Sequence, residues 1–354
     1  MAYTTIDKPT DYFNTKLYTG TGSELAISGL DFQPNWVWIK ERNGATNQML
    51  TDSVRGATKT LHSQNTDAES TAAQALKSFN SDGFTVGTDT DVNGSGGTGG
   101  TYVAWNWKAG TSSGISGSAN ITPNAYSFNQ DSGFSVVTYN GTDVAGNTVL
   151  HGLGAVPHVI FVKRRVSSGY DWVVYHKNKT AGLYLNATGN NNDSSSNNIW
   201  FNGAAPTSTV FSIGTDGRIG DDVSTGAYVA YSFAPKHGYS KFGQYTGNGN
   251  ADGPMVYTGF KVGWLMVKLS SGTDDWQILD NKRSPINIAG GYLRPNDSGA
   301  TVDNDVVDFL SNGFKLRASS GSWNANGSTF IFMAFAENPF VTSTSNGSIP
   351  ATAR

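Results

Sequence analysis

The sequence predicts an all-β chain of three antiparallel β-sandwich domains in tandem, on three observations. The first is composition. The 354 residues include 43 Gly, 12% are aromatic and only 14% are charged, against about a quarter in ordinary soluble domains. Thr, Val and aromatics fit pleated, half-buried surfaces, and Gly, Asn and Asp make turns. Ala, Leu, Glu and Lys, which favour helices, do not dominate. The second is that four short anchors recur three times in one order. The third is that the spacing between anchors hardly drifts.

The first anchor is a strand ending in a turn: Leu17-Tyr18-Thr19-Gly20, then Thr138-Tyr139-Asn140-Gly141, then Gln244-Tyr245-Thr246-Gly247. The second is an apolar run closed by lysine: Trp36-Val37-Trp38-Ile39-Lys40, Val159-Ile160-Phe161-Val162-Lys163 and Trp264-Leu265-Met266-Val267-Lys268. The third begins at Phe84, Phe211 and, more loosely, Phe314. The fourth is Tyr102–Trp107, Tyr228–Phe233 and Phe330–Phe335. From turn tyrosine to lysine the spacing is 22, 24 and 23 residues. From lysine to the third anchor it is 44, 48 and 46, and from there to the fourth 18, 17 and 16. A weaker anchor, Asp275-Trp276-Gln277-Ile278-Leu279-Asp280, resembles Asp171–His176 and less clearly Gln48–Asp52.

Each anchor is short, rich in β-branched and aromatic residues, and bounded by Gly, Asn or Asp, the signature of a strand. Anchors two and four are apolar on both alternating faces, so each should be a central strand covered on both sides. In the fourth, Val103, Trp105 and Trp107 face one way, and Tyr102, Ala104 and Asn106 the other. Ala104, Ala230 and Ala334 are read as equivalent small positions. The limits that follow are a first sandwich over 1–110 with an N-terminal arm, a flexible Gly/Ser linker over 111–125, a second sandwich over 126–237 and a third over 238–341. Residues 342–354 form a Ser/Thr-rich tail without periodicity. One weak helical window spans Asp67–Leu76.

The chemistry is mostly exclusion. No cysteine means no disulfide and no thiol nucleophile. A net charge of −3, with no basic run longer than Lys163-Arg164-Arg165, gives no general affinity for nucleic acid. No apolar run approaches a membrane helix. Residues 1–16 lack the basic and apolar regions of a signal peptide, so synthesis in the host cytoplasm is expected. Glycoside hydrolysis needs two carboxylates flanking a sugar. Only Glu24, Glu41, Glu69 and Glu337 are glutamates, in no such motif, and the aspartates sit mostly in turn contexts. Gly110-Thr111-Ser112-Ser113-Gly114 spells a nucleophile elbow and Gly94–Gly99 a dinucleotide fingerprint. Each lacks the strand-to-helix setting its motif requires. Asp89, Asp91 and Asn93 spell the first half of a calcium loop, but position twelve is Gly100 rather than the bidentate Glu. An Asx-rich hairpin loop is the expectation there, with the cation left open. The five histidines show no metal spacing. No catalytic, cofactor or metal site is therefore expected. Trp200 and Trp323 lie in Asn/Gly/Ser-rich loops outside the anchors, and exposed loop aromatics suit stacking on sugar rings. They are the candidate ligand-binding residues.

The opening Tyr3-Thr4-Thr5-Ile6-Asp7-Lys8-Pro9-Thr10-Asp11-Tyr12-Phe13-Asn14-Thr15 resembles the start of virion structural proteins of marine tailed bacteriophages. So do the turn at 245–249, Phe32-Gln33-Pro34-Asn35-Trp36-Val37-Trp38-Ile39-Lys40, Val54-Arg55-Gly56-Ala57-Thr58-Lys59 and Tyr102-Val103-Ala104-Trp105-Asn106-Trp107-Lys108. The resemblance covers nearly the whole chain and is closest in the first copy. It implies lectin-like or jelly-roll modules displayed on a virion, as a tail fibre or appendage adhering to host-surface glycans. Capsid decoration is the alternative, and a carbohydrate-active enzyme is disfavoured by the scarcity of paired carboxylates. Partners implied are other virion proteins and copies of the chain itself, a trimer first among them.

Overall fold

A computed structural model describes residues 3–94, 99–189, 198–221, 227–319, 321–344 and 347–352. The chain is all-β, with antiparallel sheets throughout. Its first part runs through β1 (Phe13–Thr19), β2 (Leu25–Ser28), β3 (Trp36–Glu41), β4 (Met49–Asp52), β5 (Lys59–Thr60), β6 (Ser70–Thr71), β7 (Leu76–Asn80), β8 (Gly83–Val86) and β9 (Thr101–Trp107). Next come β10 (Ala125–Asn129), β11 (Phe134–Asn140), β12 (Thr148–Leu150), β13 (Val159–Arg164), β14 (Val173–His176), β15 (Lys179–Tyr184), β16 (Val210–Ser212) and β17 (Ala227–Phe233). The last part holds β18 (Ser240–Thr246), β19 (Met255–Tyr257), β20 (Phe260–Leu269), β21 (Trp276–Asp280), β22 (Ala289–Tyr292), β23 (Val302–Leu310), β24 (Gly313–Leu316) and β25 (Thr329–Pro339). A closing hairpin pairs β26 (Val341–Thr344) with β27 (Gly347–Pro350).

Three large sheets repeat one strand order. It is β1-β9-β3-β4 in the first, β11-β17-β13-β14 in the second and β18-β25-β20-β21 in the third. The second sheet is extended by β10 on one edge and β15 on the other. The register repeats too: Lys40 lies opposite Val103, Lys163 opposite Val229 and Lys268 opposite Ile331. Smaller sheets, β2-β8-β7, β12-β16 and β19-β24-β23-β22, accompany the large ones.

The two apolar faces of the central strands go to different places. Val37, Ile39, Tyr102 and Ala104 pack with Ile27, Phe84 and Val86 of the small sheet. Ile160, Val162 and Tyr228 do the same with Val149 and Phe211, and Leu265, Val267 and Phe332 with Val256, Phe314 and Leu316. The opposite faces of all three large sheets meet in one cluster that includes Trp36, Trp38, Trp105, Trp107, Phe134, Phe161, Tyr231, Phe233, Trp264, Met266 and Phe335. Inside it Trp36 stacks on Trp107 and on Tyr231, each at 4.5 Å between ring centroids, and Trp107 meets Trp264 edge-on at 5.7 Å. Aromatic pairs of this geometry add to the area they bury.

The turn tyrosines of the first anchor are pins. The Tyr18 hydroxyl donates to Val92 O at 2.7 Å, Tyr139 to Ile219 O at 2.8 Å and Tyr245 to Trp323 O at 2.6 Å. Each also stacks across to the fourth-anchor strand, Tyr18 on Tyr102, Tyr139 on Tyr228 and Tyr245 on Phe330. Gly83 and Gly313 open equivalent strands where a Cβ would stand about 2 Å from the carbonyl oxygens of Ile27 and Val256, so only glycine fits.

Four expectations are corrected. Residues 67–76 form no helix; they hold β6 and a turn, and the short helices are α1 (Thr90–Asn93) and α2 (Gly321–Asn324). The window lacked the apolar stripe that a helix needs to dock. Residues 111–125 are not a free linker: Thr111 bridges Phe128, and Ile121 bridges Val149 and is buried beside it. Ala334 is not equivalent to Ala104 and Ala230; Phe332 is, by register. The tail, expected without periodic structure, closes the β26–β27 hairpin.

Candidate functional site

The lysine that closes each second anchor is fully buried. Lys40 Nζ donates to Gly44 O at 3.0 Å, Lys163 Nζ to Tyr170 O at 2.5 Å, and Lys268 Nζ to Thr188 O and Leu269 O at 3.0 Å. Desolvation lowers all three to about 8. A lysine poised there suits nucleophilic or base chemistry, but these ammonium groups are closed over by carbonyl oxygens.

Three side-chain donors, Trp172, Trp276 and Gln48, cross the seams in one cyclic sense. Trp172 Nε1 of the second sheet donates to His62 O at 2.8 Å, and Trp276 Nε1 of the third to Tyr184 O at 2.9 Å. Gln48 Nε2 of the first donates to Arg294 O at 2.9 Å. Tyr231 likewise donates to Asp52, and Trp105 Nε1 to Asp280 at 3.0 Å. Asp52 and Asp280 each pair with the arginine three residues on, Arg55 and Arg283, and accept from backbone N–H groups of the same turn. The first network continues through Glu69 to Arg165. The Asp-x-x-Arg pairs stand 12 residues beyond Lys40 and Lys268, a sequence signal that was available.

The two expected ligand-binding tryptophans are corrected. Trp323 is 0% exposed and Trp200 is 3% exposed. Trp323 takes the place of Val92 and Ile219 beneath the tyrosine pin, and Trp200 packs on Tyr184. Polar loop composition hid them, because each loop folds its large apolar side chains inward. Asp89 caps α1 by accepting from Asp91 N at 2.9 Å, and Asp91 accepts from Asn47 N and Nδ2. Buried Asn93 donates to Gly87 O and Ser23 O. Their oxygens thus face different donors instead of converging. Part of Gly94–Gly99 lies outside the described residues, and Thr111 of the elbow spelling precedes a strand. Among the histidines, Nδ1 of His151 accepts from Leu153 N and Nδ1 of His176 from Asn178 N, which leaves Nε2–H to donate to Thr207 O and Phe332 O.

An open cleft of about 410 Å³ lies where edge strands β18 and β19 face the turn between β14 and β15. Lys177, Asn178, Lys241, Gln244, Met255 and Tyr257 line it. Alternation in β19 turns Val256 inward and leaves Met255 44% and Tyr257 50% exposed. Lys241 Nζ sits 5.3 Å over the Tyr257 ring and donates to Tyr257 O at 2.7 Å. Its pKa is lowered, by burial first and then by the charge of Lys177. Neither lysine has a carboxylate partner among the described residues, and no acidic residue lines the cleft. Sequence reading missed this place because its residues come from three strands and a turn. A second cavity, about 420 Å³, has Asp303 and Asp305 on its rim with Arg283 and Ser284. Both carboxylates are exposed.

No curated protein matches the sequence. Residues 8–339 match a domain of unknown function, DUF7483, in a single span that includes all three large sheets. The chain therefore belongs to the DUF7483 family.

Proposed function

We propose that this chain is a non-enzymatic bacteriophage virion protein, a tail-fibre or appendage subunit that adheres to host-surface glycans. On this reading the three large sheets with their companions are three jelly-roll or lectin-like sandwiches, over 1–110, 126–237 and 238–341. The observation that carries it is the shared aromatic core. Three sheets of one strand order bury one face each in a common centre, so a single chain forms a rigid body of threefold character. Such a body suits a particle part that must keep its shape outside a cell. The absence of any acidic residue along the Tyr257 cleft favours binding over hydrolysis. Other virion proteins and further copies of the chain are its proposed partners.

The cyclic seams favour a second reading, a decoration protein seated at a threefold position of the head. Locating the subunit in a reconstruction of the whole particle separates the two. Density on the tail supports adhesion, a lattice of copies on the head supports decoration, and absence from purified particles overturns both.

A further inference from the structure

We propose that the cleft between β18, β19 and the β14–β15 turn binds an anionic saccharide, a pyranose bearing carboxylate or sulfate. The inference rests on the adhesion reading and assigns it a place and a ligand class. Four observations converge. Tyr257 offers a half-exposed ring, and the CH face of a pyranose stacks on such a ring. Lys241 and Lys177 line the same cleft, and no acidic residue lines it with them; the charge of Lys177 disfavours that of Lys241. An anion placed between them removes that repulsion. Gln244 and Asn178, both exposed, add amide donors and acceptors for ring hydroxyls. The chain as a whole carries −3, so a positive cleft free of acids runs against the average of its own surface.

The fold explains why the site lies here. In the second large sheet β10 covers the edge of β11. In the third, the equivalent edge strand β18 has no such cover among the described residues, and Tyr257 and Met255 stand beside it. A nucleic acid would need a longer basic track and successive stacking rings, and one tyrosine with two lysines fits a short saccharide better.

The test titrates the full chain, by calorimetry at low salt, with oligogalacturonate, a heparin-derived sulfated oligosaccharide, neutral maltohexaose and oligothymidylate. The carboxylated or the sulfated probe should bind, and the neutral one at least about tenfold more weakly. Raising ionic strength from ~0.05 M to ~0.5 M should weaken binding, since the ammonium groups are solvent-accessible. Tyr257→Ala should lower affinity about tenfold or more. Lys177→Gln with Lys241→Gln should abolish the preference for anions. Thermal midpoints close to the parent value would show that these exposed substitutions leave the fold intact. Equal binding of maltohexaose, tighter binding of oligothymidylate, or full affinity in the Tyr257→Ala chain each overturns the proposal. If labelled protein adsorbs to host cells while ignoring every saccharide, the cleft inference fails alone. If saccharide binds at the cleft but the subunit lies on the head, the appendage reading fails and the cleft inference stands.

Discussion

The Tyr231 hydroxyl donates a 2.6 Å hydrogen bond to the carboxylate of Asp52, 179 residues earlier in the chain. That carboxylate is also the partner of Arg55, and all three side chains lie within the protein. The charge pair formed by the first sheet is thus completed by the second. Trp105 does the same for Asp280 of the third. Repeats that satisfy one another's buried charges are not free to fold separately.

The first prediction follows from that dependence. Tyr231→Phe should cost about 1.5–3 kcal/mol, the range for a hydrogen bond to a charged group. Asp52→Ala should cost roughly 3–5 kcal/mol, because it strands a buried arginine. The double variant should cost less than the sum, since one acceptor serves both. Urea unfolding should remain a single transition by fluorescence and by circular dichroism. Two separated transitions would show the sheets to be independent and remove the coupling.

The strands and their equivalence were legible because apolar runs such as Trp36–Lys40 and Val159–Lys163 keep their spacing. Coverage of both faces was legible as well, since neither Trp38 nor Ile39 tolerates water. What covers the second face was not. A buried face looks the same whether a companion sheet or a distant copy lies over it, and nothing local to Trp36 points to Tyr231. Trp323 was misjudged for a related reason. Its neighbours Ser322 and Asn324 are polar, but its equivalence to Val92 and Ile219 shows only once the tyrosine pins are traced. The cleft at Tyr257 was illegible because Lys177 stands 80 residues away in sequence.

Alkaline pH should stabilise the protein over a narrow range. Burial lowers Lys40, Lys163 and Lys268 to about 8 from an ordinary 10.5. Between those values the unfolded chain holds more protons, so unfolding free energy rises with pH. Above about 10 the buried tyrosines reverse the trend, since unfolding lets them ionise. Urea midpoints should climb from pH 8 to about 9.5, and Lys163→Met should flatten that climb. A parent midpoint that falls over the same range would contradict the lysine assignment.

Acid should act through the histidines. Burial lowers His151, His158 and His176 to about 4 from 6.5. The unfolded chain binds protons first as pH falls below 6.5, so stability drops until about pH 4 and then loses this dependence. Protonating Nδ1 of His176 would also expel the Asn178 N–H that it accepts. His176→Gln should be less stable than the parent at pH 7 and less sensitive between pH 6.5 and 4.5. Histidine proton shifts followed by NMR in that interval check it, and a His176 that titrates near 6.5 in the folded protein would refute it.

If Trp323 is a core residue, Trp323→Ala should cost roughly 3–5 kcal/mol through the cavity it leaves. Trp323→Phe should cost less, and saccharide affinity measured below the melting range should be unchanged in both. Unchanged stability with lost saccharide binding would restore Trp323 as a ligand contact and move the site to α2.

The last prediction concerns how one copy accommodates a larger residue. Ala104 lies opposite Lys16 and Ala230 opposite Val137, whereas Phe332 lies opposite Gly243. A Cβ on Gly243 would approach the Phe332 ring to 2.8 Å. The third sheet therefore exchanges a small residue on the central strand for a small residue on its edge neighbour. Gly243→Val alone should cost about 1–3 kcal/mol by overpacking. Phe332→Ala alone should cost roughly 3–5 kcal/mol by leaving a void. Together they reproduce the Val137–Ala230 pair of the second sheet, and the valine then fills part of the void instead of clashing. Urea unfolding of the two single variants and the double one should give a coupling of about 1–3 kcal/mol in favour of the pair. Simple additivity would mean that the ring moves aside without strain and that Gly243 is there for another reason.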